Sequence, residues 1–240
     1  MMVGTECLVP RIRRFNDVKI LRVNMTMKRL RVRRSKPERA WAQLLAGLLV
    51  YGLAIALMIR SNLGLGPWDA FHVGIHMLTG MSVGVASIVV GLLIVAGTTL
   101  SGERPGAGTL ANMVLIGVFI DLLLPVVPAA SGWLVGLMMF VAGLALCGFA
   151  TGLYIGARLG KGPRDGLMIA ISAHTGWPVR RVRTVIELTV LAAGWLMGGT
   201  VGLGTILFTA GIGPVTQWSL QLFGFTATGS EQAAPLRKAA

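Results

Sequence analysis

Four acids stand within or beside long apolar stretches of the chain: Asp69, Asp121, Asp165 and Glu187. A carboxylate there is expensive, so it is expected to cap a helix, pair with a cation, or face a path for solute or protons. Two of the four occur in the same phrase, LGLGPWDA at 63–70 and LGKGPRDG at 159–166. Proline at the first helical position sacrifices no hydrogen bond, the glycines permit a tight turn, and an acid on the first turn meets free N–H groups. Asp69 and Asp165 therefore have two open roles: capping their own short helices, or lining a shared central cavity.

Arg164 precedes Asp165 where Trp68 precedes Asp69, so one copy is cationic and the other aromatic. Arg183 and Glu187 are spaced as helical neighbours, and a local ion pair would lower the cost of the acid. The corresponding residues of the first copy are Ser87 and Gly91, so this charge belongs to one copy only, where a substrate or coupling ion would be read. With Arg180 and Arg181, Arg183 also forms a basic cluster suited to anionic lipid head groups or a partner. Asp69, His72 and His76 share a helix face, but the second copy has Asp165, Met168 and Ser172 there. Interfacial histidines are the preferred reading over a metal or proton site. Asp121, in FIDLLLP, reads as hydrogen-bonding glue between spans. With no Walker loop, HExxH or GxSxG, no catalytic residues, metal or cofactor are expected, and the chain does not read as an enzyme.

The elements that position these groups are membrane helices. Of the 240 residues 54% are hydrophobic and 13% charged, about half the charge of a typical soluble domain. Six apolar segments, 41–60, 82–100, 109–127, 132–157, 182–199 and 203–223, approach or reach the roughly 17–25 residues of a membrane span. Two shorter stretches, 67–79 and 163–175, follow the Gly-Pro phrases and read as re-entrant or interfacial helices. The net charge of +13 is no sign of nucleic acid, since 12 of the 22 Lys and Arg fall in residues 1–39; beside spans, such residues report orientation. Cys7 and Cys147 have no metal-ligand spacing, and the first apolar run lacks a signal-peptide cleavage site. Met25 or Met27 could be the start of translation, and residues 1–24 are expected to be disordered if made.

Sliding the chain by 96 residues aligns Ala46-Gly47-Leu48 with Ala142-Gly143-Leu144, Gly66-Pro67 with Gly162-Pro163, Asp69 with Asp165, and Thr79-Gly80 with Thr175-Gly176. About one position in three matches over some 60 residues, which reads as an internal duplication. Three spans per copy would insert the copies in opposite senses, an inverted repeat. With the basic N-terminus inside, loops 101–108 and 158–183 and the C-terminal tail are inner, while 61–81, 128–131 and 200–202 are outer. Arg158, Lys161, Arg164, Arg180, Arg181 and Arg183 then all fall inside, in keeping with the positive-inside rule. Gly148, Gly152 and Gly156 form a small-residue stripe for close helix approach, which also offers a face for homo-oligomerisation.

The stretches LGKGPRDGLM, TGWPVRRVRTVIELTVLAAGWLMGG and VGLGTILF resemble the YczE-like bacterial integral membrane proteins, grouped with the YitT and YyaS proteins. The resemblance covers about residues 40–223 and implies a bacterial inner-membrane protein; it brings no catalytic residues to carry over. The extension before Met25 lies outside the family pattern.

The expectation is an all-α polytopic membrane protein with both termini cytoplasmic. Its parts would be a basic tail (1–39), membrane repeats at 40–127 and 131–223, and a C-terminal tail (224–240). A small-solute transporter is favoured, with Asp69, Asp165, Arg164 and Glu187 at its site. The alternative is an accessory protein that binds lipid or a partner through Arg180, Arg181 and Arg183.

Overall fold

The computed structural model describes residues 37–102, 105–160 and 162–223. The expectations for both tails, for Cys7 and for Lys161 lie outside the described residues. Among the described residues eight helices follow in order: α1 (Pro37–Arg60), α2 (Pro67–Thr79), α3 (Val83–Leu100), α4 (Ala107–Leu123), α5 (Trp133–Gly156), α6 (Pro163–Thr175), α7 (Val179–Leu196) and α8 (Leu203–Leu222). No strand occurs among the described residues.

Helices α1, α3 and α5 are long and apolar enough to cross a membrane, and α4 is a shorter apolar helix. Helix α7 begins with Arg180, Arg181, Arg183 and Glu187, which dilute its apolar character, and α8 carries Pro214 in its interior. Helices α2 and α6 have 13 residues each; at about 1.5 Å per residue they fall well short of a roughly 30 Å hydrocarbon core. Large apolar side chains such as Leu92, Leu93, Leu188, Leu196 and Ile206 face outward. A protein surrounded by lipid can leave such residues exposed, whereas water would penalise so continuous an apolar surface.

The breaks around the short helices have a local cause. Asn62 and Arg158 both take the left-handed conformation (φ 56° and 57°), which ends α1 and α5. Gly64 follows at φ 106°, where a side chain would be strained and a Cβ would also meet the Gly202 backbone at 2.5 Å. Pro67 and Pro163 start α2 and α6, while Gly80 and Gly176 close them in the left-handed region with N–H bonds to His76 and Ser172 carbonyls.

The helix starts keep the 96-residue offset: α1 to α4 begin at 37, 67, 83 and 107, and α5 to α8 at 133, 163, 179 and 203. Long-range hydrogen bonds keep it too. Gly108 N–H donates to the Leu159 carbonyl at 3.0 Å, and Gly204 N–H donates to the Leu63 carbonyl at 2.7 Å.

Packing is organised around α1 and α5, whose contact buries Leu44, Leu48, Ile55, Met58 and Phe140. Gly52 lets Phe119 of α4 approach α1, and Gly148 and Gly152 let Val215 and Ser219 of α8 approach α5. The glycine stripe therefore serves contacts within the chain. Asp121 accepts hydrogen bonds from the Ser82 hydroxyl and the Gly84 N–H, so it holds the start of α3 against α4. Arg60 donates twice to the Leu124 carbonyl, at 3.0 and 2.8 Å, tying the ends of α1 and α4 together.

Candidate functional site

All eight helices contribute to one cavity of about 790 Å³, a size suited to a small molecule. Its wall contains both members of several residue pairs 96 apart: Trp68 and Arg164, His72 and Met168, Ser87 and Arg183, Gly91 and Glu187, Asn112 and Phe208. The cavity thus lies where the corresponding helices of the two halves face one another. One such pair is in direct contact. The Arg164 guanidinium carbon sits 4.8 Å from the centroid of the Trp68 ring, a stacking distance at which the ring face attracts the cation.

Three of the four expected site residues, Arg164, Asp165 and Glu187, line this cavity. Asp69 does not. It is 5% exposed in the first turn of α2, and its Oδ1 is buried without a hydrogen-bond partner. No N–H at the start of α2 satisfies that oxygen. Asp165, by contrast, is exposed and sits beside Gly162, close to the Tyr154 hydroxyl.

Arg183 and Glu187 form the expected ion pair, with 2.8 Å between Nε and Oε1, and both line the cavity. Arg183 is therefore separated in role from Arg180 and Arg181, which lie exposed at the start of α7 away from the wall. His72 departs from the interfacial expectation: it is 2% exposed and forms part of the wall. His76 instead has its Nδ1 at 2.6 Å from the Met81 carbonyl, so Asp69, His72 and His76 do not converge. Tyr51, Asn112, Thr151, Tyr154 and Gln217 also reach the cavity. Each sits inside an apolar run, where polar residues are as often helix-packing glue as lining, so only the assembled bundle distinguishes them.

The two ends of the cavity differ. Ala70 on α2 is fully buried, and Gly199 and Gly194 bring their backbones against it. At the corresponding position on α6, a Cβ on Gly166 would meet nothing within 4 Å. Gly66 is closed over by the Phe208 ring, 2.8 Å from where its Cβ would be, whereas around Gly162 the nearest atoms are at 3.5 and 3.6 Å. The α2 end is sealed, and the α6 end is open at Asp165 and Arg183.

Residues 38–221 match the model of a family of unknown function, DUF6198. The chain belongs to that family. Within the wider YczE-like group, it is 44% identical over 182 residues to the uncharacterized membrane protein YczE of Bacillus subtilis, covering 75% of this chain and 85% of the relative. An uncharacterized protein of Haemophilus influenzae is 34% identical over 179 residues, covering 75% and 82% of the two chains. The uncharacterized protein YyaS of Bacillus subtilis is 30% identical over 165 residues, covering 67% and 82%. No solved structure matches. The matched span of this DUF6198 member contains every helix that lines the cavity except the first residue of α1 and the last of α8.

Proposed function

We propose that this protein carries a small solute across the bacterial inner membrane through the cavity between two inverted repeats. In this reading α1, α3, α4, α5, α7 and α8 span the bilayer, α2 and α6 are re-entrant, and both termini are cytoplasmic. The observation that carries it is the Trp68–Arg164 stack: equivalent residues of the two copies meet inside a cavity of metabolite size. Broken helices meeting at the midpoint of a repeat pair are the usual substrate site of transporters with inverted repeats. The open α6 end carries the basic inner loop, so the conformation corresponds to access from the cytoplasm, with the outer end sealed by α2 and α7. Alternating access would then exchange the two arrangements, with α6 closing on α3 as α2 closes on α7.

Arg180 and Arg181 have a separate role in this reading, as contacts for anionic lipid head groups beside the cavity mouth. The test is to purify the full chain in wild-type and Arg164→Ala forms and identify retained small molecules by native mass spectrometry. Uptake of the retained compound into proteoliposomes follows. The expected result is a compound held by the wild type, with retention and uptake both lost on Arg164→Ala while the protein stays folded. If only lipid is retained, and its binding depends on Arg180 and Arg181 alone, the transport reading fails in favour of an accessory lipid-binding protein.

A further inference from the structure

Among the described residues, Asp69 Oδ1 is the one buried side-chain oxygen or nitrogen without a hydrogen-bond partner. A carboxylate sealed from water with an unpartnered oxygen is far costlier than the neutral acid. The residue is retained in that state one position from Trp68, on which Arg164 stacks, and the Arg164 charge acts on both Asp69 and His72. His72 lies one turn further along α2 and lines the cavity.

The charged and titratable groups around this point are few. Helix α6 offers Arg164 and Asp165, α7 offers Arg183 and Glu187, α1 offers Tyr51, and α5 offers Cys147 and Tyr154; α2 itself adds His72 and His76. Helices α3 and α8 contain no charged or titratable residue. Arg183 and Glu187 neutralise each other. The Arg164 guanidinium is therefore the cation that acts on Asp69, and it also lines the cavity.

We propose that Asp69 is a proton-binding site that alternates with an anionic solute for the charge of Arg164, so that a solute of one net negative charge and one proton load the cavity together. This rests on the transport reading above. With the cavity empty, burial disfavours the Asp69 carboxylate and the Arg164 charge offsets that cost, so the carboxyl group is ionised only while it has that cation to itself. When an anion takes the N–H groups of Arg164, Asp69 accepts a proton delivered from the cavity past His72, and the total charge around the site is unchanged. Without that proton, loading would leave two anions against one guanidinium in a poorly hydrated interior.

The proton site can be tested without knowing the solute. The full chain in lipid nanodiscs is titrated between about pH 4 and about pH 9 while the protonated-carboxyl infrared band is followed. A band component is expected that is lost in Asp69→Asn and kept in Asp165→Asn. In Arg164→Gln the midpoint of that component should rise by about one pH unit or more, because the stabilising cation is gone. The proposal is overturned if Asp69→Asn leaves the band unchanged, or if Arg164→Gln leaves its midpoint in place. The second variant does not depend on Asp69→Asn folding. Failure of uptake with an intact Asp69 titration would count against transport alone. Uptake that is indifferent to pH and survives in Asp69→Asn would count against the coupling alone.

Discussion

The sealed end of the cavity depends on a seam without side chains, and adding one methyl group there should open it. In Gly194→Ala the new Cβ would lie 2.7 Å from the Phe71 nitrogen and 2.8 Å from the Ala70 carbonyl carbon and the Phe71 Cα, all backbone atoms of α2. Ordinary contact begins near 3.4 Å, and backbone cannot yield by changing rotamer, so α2 must retreat from α7 by about 0.7 Å. A gap of that size forfeits roughly a quarter to a half of the dispersion attraction across the contact. Overpacking of this kind typically costs about 1–3 kcal/mol. At about 2–4 °C per kcal/mol for a chain of this length, the midpoint of thermal unfolding should fall by about 2–12 °C. Gly166→Ala is the matched control, since its Cβ meets nothing within 4 Å. Replacing a helical glycine by alanine there should leave stability unchanged or raise it by up to about 1 kcal/mol. Both are read by intrinsic tryptophan fluorescence on heating in the same nanodiscs. If Gly194→Ala melts within about 1 °C of the wild type, or Gly166→Ala melts lower than Gly194→Ala, the sealed and open ends have been assigned to the wrong helices.

Arg60→Met removes two charge-assisted hydrogen bonds to the Leu124 carbonyl; it should cost about 1.5–3 kcal/mol in unfolding measurements, and Arg60→Lys should recover only part because an ammonium cannot reproduce the two-pronged contact. An Arg60→Met protein with wild-type stability would show that the α1–α4 tie contributes nothing. The Arg183–Glu187 pair is 54% and 27% exposed, so a double-mutant cycle with Arg183→Met and Glu187→Gln should return a coupling of no more than about 0.5 kcal/mol. A coupling above about 1 kcal/mol would mean that the pair is shielded from water rather than lining an open mouth.

The helices were legible because long apolar runs, prolines and glycines act locally. Pro67 and Pro163 start the short helices, and Gly80 and Gly176 end them, for reasons confined to a few neighbouring residues. Arg164, Asp165 and Glu187 were legible as site candidates because a charged group next to an apolar run demands an explanation. His72 was not, since an imidazole on a short amphipathic helix looks the same whether that face meets lipid head groups or another helix. The burial of Asp69 against the exposure of Asp165 was equally hidden. Their local phrases are nearly alike, and the difference comes from how tightly α2 and α6 pack against helices far away in the chain.

That difference follows from what stands at corresponding positions in the two seams. On the α2 side, Gly74, Gly194 and Gly199 allow backbone to touch backbone, and the Phe208 ring covers Gly66. On the α6 side, the corresponding described residues are Ala170, Thr98 and Asn112, so the second seam is built from bulkier or more polar groups. The ionic groups of the cavity, Arg164, Asp165, Arg183 and Glu187, also all come from the α6–α7 half. A seam of glycines closes tightly and stays dry, whereas a seam of polar and charged residues keeps its hydration until something replaces the water. If the two halves exchange roles during a working cycle, the α6 side therefore needs an occupant that satisfies Arg164 before it can close, while the α2 side needs none. Solute binding and closure would then be the same event at one end of the molecule only, which would give the two ends unequal affinities for the same solute.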